Sequence, residues 1–191
     1  MAGDLGAGGS EVHDEAKEVL DYWFALSSDE QFGKDPDRDA EIARRFGALR
    51  DRLLGTRAEG WRDDPDALLA AIVALDQFSR NVHRGTAHAY EADPLALELT
   101  LEAVRKGWEE RYPPERRAFL YMPLMHAEEA DMQRLSVDRF TALGEQEGLK
   151  FARDHADVIG EFGRFPSRNA ALGRESTLAE LDYLSRPDAG W

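Results

Sequence analysis

Apolar side chains recur at three- and four-residue intervals along most of the chain, the signature of helices with one buried face. Val12, Ala16, Val19, Leu20, Trp23 and Phe24 share one such face, and Ile42, Phe46, Leu49 and Leu53 share another that Gly55 closes. Asp64-Pro65 reads as a helix cap followed by proline in the first turn. The run from Ala67 to Leu75 is apolar on every side, so the spacing predicts a central buried helix over 65–80. Asp93-Pro94 repeats the same opening for a helix through Leu97, Leu101 and Val104 that stops at Gly107. A further helix begins near Pro114 and carries Phe119, Leu120 and Leu124, with Pro123 expected to kink it or end it near Met122. Two more are expected over about 127–147 and 149–161, split at Gly148, before a last one that Thr177 and Glu180 open as a capping box. No stretch alternates at period two, so no sheet is expected. The pattern predicts an all-α array of about eight helices packed as antiparallel hairpins.

Composition narrows the class. The 191 residues, 42% of them hydrophobic and 32% charged, suit one globular domain over 11–191. Residues 1–10 are glycine-rich and read as a disordered leader without secretory or acylation signals. No apolar run approaches the ~20 residues of a membrane span. The net charge of −14 opposes nucleic-acid binding. Cysteine is absent, which removes thiol catalysis, iron–sulfur clusters and disulfides and fits a reducing, cytoplasmic setting. Phosphate-loop and serine-elbow motifs are missing too, and no cofactor is implied.

Three segments carry candidate chemistry. In the first, residues 75–85, polar groups appear abruptly where the buried helix ends. Asp76, Arg80 and Arg84 stand four apart, on one face of a continuing helix, beside Gln77 and Asn81. A purely structural account pairs Asp76 with Arg80 and lets Asn81 cap the helix; a functional one makes these residues the polar floor of a pocket, with arginine facing an anion. The second segment, 161–174, is broken by Gly163, Pro166 and Gly173 and holds Arg164, Arg168 and Arg174 against the single acid Glu161. Such a loop suits recognition, or the clamping of helix ends. The third segment carries His126 with Glu128 and Glu129, Gln133 further on, and His155 in the next helix. The three-residue spacing favours Glu129 as the partner of His126. Ligand-spaced histidine motifs are missing, so no metal site is assigned, and a carboxylate-held histidine for proton transfer is the simpler outcome.

Taken together, these segments resemble a bacterial family of unknown function (family nine-two-four). The likeness lies in Asp-Gln-Phe-x-Arg-Asn-x-x-Arg-Gly-Thr over 76–86, Leu-Tyr-x-Pro-x-x-His-x-Glu over 120–128, and Phe-Gly-Arg-Phe-Pro-x-Arg-Asn-x-x-Leu-Gly-Arg-x-Ser-Thr over 162–177. The resemblance implies an all-helical fold similar to tetratricopeptide-like arrays, although no ~34-residue repeat is visible, and it implies no activity. It points to Asp76, Gln77, Arg80, Asn81, Arg84, His126, Glu128, Gln133, His155, Arg164, Arg168, Asn169 and Arg174, and it favours Glu128 over Glu129 beside His126. Ser167 stands where such sequences commonly carry histidine.

The leading expectation is a pocket for a small anionic ligand, lined by Arg80, Arg84, Arg164 and Arg168, with His126, Glu128 and His155 as candidates for acid–base work. The rival is a helical scaffold that binds a peptide or protein partner without catalysis.

Overall fold

The computed structural model describes residues 7–187 and 189. Residues 1–6 of the expected leader lie outside the described residues, whereas 7–10 already belong to the first helix, α1 (Ala7–Ala25). There follow α2 (Ser28–Phe32), α3 (Pro36–Thr56), α4 (Pro65–Val73), a π-helical segment (Ala74–Phe78), α5 (Ser79–Val82), α6 (Asp93–Arg105), α7 (Pro114–Met125), α8 (Ala130–Leu143), α9 (Gln146–Phe162) and α10 (Leu178–Leu184). The fold is all-α, with no strand among the described residues. No described helix is long and apolar enough to cross a membrane.

The apolar run becomes the centre of the molecule. Every residue from 67 to 79 is buried, with α4 packed on α1, α6 and α7 and the π segment on α3 and α6. Phe78 stacks on Phe46 with ring centroids 4.8 Å apart and meets Trp23 edge-on at 5.6 Å. Trp61 is buried in the same core, and Trp108 packs against it.

The helix expected over 65–80 is therefore not uniform. Ala74–Phe78 is wound with one extra residue, which turns everything after it by about 100° relative to a regular α-helix. Of the two outcomes expected at Pro123, a kink or an end near Met122, the end does not occur: α7 runs on to Met125. Neighbouring polar groups meet the turn that the proline disturbs, where the buried Thr100 hydroxyl donates to the Leu120 carbonyl at 3.0 Å.

The break expected at Gly148 falls instead at Gly144, whose left-handed φ of 77° ends α8. Gly148 sits inside the first turn of α9 because Phe140 and the capping carboxylate of Glu145 press against it; a β-carbon there would come within 2.5–2.9 Å of them. Gly160, in the same helix, has open space at that position. Gly160→Ala is thus expected to stabilise the fold by about 0.5–1 kcal/mol and Gly148→Ala to destabilise it, as paired urea titrations would read. The capping box at Thr177 and Glu180 forms as the sequence predicts.

Candidate functional site

The π segment delivers Asp76 to the interior with 1% of its surface exposed. An isolated carboxylate there would be costly to ionise, yet Asp76 is surrounded by donors. His126, at the end of α7, places Nδ1 2.7 Å from Oδ1, and the Gln77 amide donates to Oδ2. The Arg80 guanidinium lies 3.1 Å from Oδ1 and also donates to the Asp76 backbone carbonyl at 2.6 Å. Burial pushes the Asp76 carboxyl upward, but Arg80 and His126 outweigh it and hold the group well below the usual carboxylate range. An ionised carboxylate only accepts, so Nδ1 of His126 carries the proton and Nε2 is left as the acceptor atom of a neutral ring.

His155 of α9 lies with its ring centroid 6.0 Å from that of His126, and its Nδ1 donates to the Phe151 carbonyl at 2.8 Å. Burial, assisted by Arg80, lowers the His126 pKa, with Asp76 acting in the opposite sense. Burial, together with His126, pushes His155 down to about 3. Both rings are therefore neutral near pH 7. Their unfolded counterparts titrate near 6.5, so stability is fully present above that pH and is lost as pH falls toward the folded values. His155 alone is expected to remove about 2 kcal/mol of unfolding free energy between pH 7 and pH 5. Urea titrations across that range check this, with His155→Gln flattening the slope by about one proton.

The structure corrects the partner of His126, which is Asp76 and neither Glu128 nor Glu129. Spacing along one helix cannot reveal a carboxylate fifty residues away on another. Glu128 serves the neighbouring loop: it accepts two hydrogen bonds from Arg174, at 2.6 and 2.9 Å, and one from the Phe165 amide at 2.8 Å. Arg174 also donates to Asn169 at 2.9 Å.

The predicted arginines divide among different partners. Arg80 and Arg168 converge on Asp93. Arg84 instead grips Asp39 of α3 at 2.7 and 2.9 Å, with Asn81 donating to the same carboxylate. Arg164 is bound to Glu180 of α10 at 2.6 and 2.9 Å. Gln133 ties together the turn after α7, donating to the Met125 and Ala127 carbonyls at 2.7 Å each. The cluster around His126 thus comprises Asp76, Gln77, Arg80, His155 and Arg168, and it adds two residues that sequence reasoning missed, Tyr90 and Asp93. Among the described residues, no group of three His, Asp or Glu side chains is placed to hold a metal ion.

A family model described as a bacterial protein of unknown function (DUF924) matches residues 19–188. The chain belongs to this family. A solved structure of a protein of unknown function from Agrobacterium tumefaciens is similar to it, with 36% sequence identity and a TM-score of 0.87, covering 91% of this chain and 98% of that one. No curated protein matches.

Proposed function

We propose that the protein binds a small anionic molecule at the Asp76–His126 end of the buried helix and that His126 exchanges a proton with it. What carries the reading is the buried Asp76–His126 contact of 2.7 Å beside Arg80, built on a π segment of a kind that recurs at functional sites. Asp76 and Asp93 balance Arg80 and Arg168, and both histidines are neutral, so an incoming anion is accommodated by protonating a ring. Affinity then rises as pH falls. The acidic, cysteine-free chain suits a cytoplasmic setting.

The test is a thermal-shift screen against anionic metabolites at pH 6 and pH 8, with His126→Gln and Arg168→Ala alongside the native chain. The expected result is a ligand that raises the melting temperature by about 5–10 °C at one hundred times its dissociation constant, more strongly at pH 6, and is lost in both variants. A flat screen in which the variants merely melt earlier would overturn the reading. A protein-binding role draws instead on Leu178 and Leu181, exposed by 86% and 52% on α10. Leu178→Asp would then abolish capture of a defined partner and leave the ligand shift untouched.

A further inference from the structure

Three Asp-Pro pairs open helices in this chain, and in two of them the aspartate caps the helix that its proline begins. Asp35 accepts from the amides of Asp37 and Arg38, and Asp64 accepts from the amide of Ala67. At Asp93-Pro94 the helix begins one residue earlier. The aspartate is itself helical, and no side chain caps the end. Its carboxylate is committed elsewhere. Arg80 donates to both oxygens, at 3.0 and 3.1 Å, and Arg168 adds a third bond to Oδ2 at 3.2 Å. The Tyr90 ring lies 5.9 Å from the Arg80 guanidinium carbon and 4.8 Å from that of Arg168.

We propose that Arg80 and Arg168 form a seat for a ligand carboxylate and that Asp93 is its tethered occupant, displaced when the ligand binds. This rests on the reading above that the site takes an anion, and it narrows that anion to a planar carboxylate. A guanidinium fork meeting two oxygens in parallel is matched to a planar two-oxygen group. The two arginines reach Asp93 from separate segments, α5 and the loop after α9. The side chains keep 21%, 15% and 11% of their surface exposed at Arg80, Asp93 and Arg168, so the seat is not sealed. Arg168 also donates to the His126 carbonyl at 3.0 Å, which places an exchanged carboxylate beside the histidine. Asp93 sets specificity by competing: only a ligand that offers contacts beyond its carboxylate group displaces it.

The experiment removes the occupant and supplies a free one. The native chain, Asp93→Ala and Asp93→Ala/Arg168→Ala are melted in increasing sodium formate, with sodium chloride at equal ionic strength as the control. Formate is expected to raise the melting temperature of Asp93→Ala saturably, by about 3–6 °C at ten times its dissociation constant. Its affinity should be at least tenfold above that of the native chain, and the double variant should lose the formate-specific part. Should Asp93→Ala fail to fold, Asp93→Ser, which also empties the seat and is tolerated at a helix start, carries the same comparison. A formate response no larger than that of chloride, or equal in native and variant chains, overturns the proposal. His126→Gln added to Asp93→Ala separates the two readings. Formate binding that persists there, with no anion shifting the native chain at either pH, leaves the seat standing and removes the proposed function. An anionic hit on the native chain without any formate effect does the reverse.

Discussion

Asp76→Ala is expected to lower the unfolding free energy by about 3–5 kcal/mol, the range found when one member of a buried charged pair is removed. Arg80 would keep Asp93 but lose its innermost contact, and the His126 Nδ1–H would face an empty place in the core. Chemical denaturation of Asp76→Ala, His126→Ala and the double variant checks this. A coupling well above 0.5 kcal/mol between the two sites is expected for groups in direct contact, and additive losses would show that the 2.7 Å contact contributes little.

Arg50→Met is expected to cost about 3 kcal/mol although the hydrogen bonds of Arg50 go to neither Asp76 nor His126. The Arg50 guanidinium is almost fully enclosed, with the residue 1% exposed. It donates to the Ser79 hydroxyl at 2.8 Å, to Asp51 and Glu91 at 2.9 and 2.7 Å, and to the His88 carbonyl at 3.1 Å. One side chain thereby joins α3, α5 and the turn before α6. Methionine keeps the stem but strands the buried hydroxyl and the carbonyl, whereas Glu91 and Asp51 can return to water. The readout is the urea midpoint, with Arg50→Met expected to cost less in a Ser79→Ala background, where no hydroxyl is stranded.

These two residues also mark how far the sequence could be read. Asp76 and Arg80 were legible because four-residue spacing on a helix brings side chains together, and they do meet despite the π segment. Arg50 was not singled out, although it had a signal: it lies four residues after Phe46, on the apolar face with Ile42, Leu49 and Leu53, where a charge must find partners. Asp93 reads as one more helix opening because its dipeptide repeats Asp64-Pro65, which does cap. Only the three-dimensional arrival of Arg168, seventy-five residues later in the chain, changes its role. Periodicity locates the longer helices but misses the short α2 (Ser28–Phe32), and the end of α8 is a local left-handed turn at Gly144, whereas the spacing points to Gly148. At Gly148 part of the constraint is Phe140 of α8, a contact that local spacing does not show.

The segment after α9 is fastened differently from the rest. Its apolar contacts form a small cluster of their own, Val158, Ile159 and Phe165 with Phe162 and Tyr183, while Arg168, Arg174 and the Phe165 amide tie it to Asp93 and Glu128. Added salt screens the partly exposed Arg174–Glu128 pair more than the enclosed Arg168–Asp93 pair and does not weaken the apolar contacts of the core. Native-state hydrogen exchange should therefore find two clocks in one molecule: amides over 165–184 that exchange faster as salt rises, and amides over 67–79 that ignore it. That result would mean that the tail peels back with the core intact, uncovering Asp93 and His126 by a partial opening that global melting curves do not register.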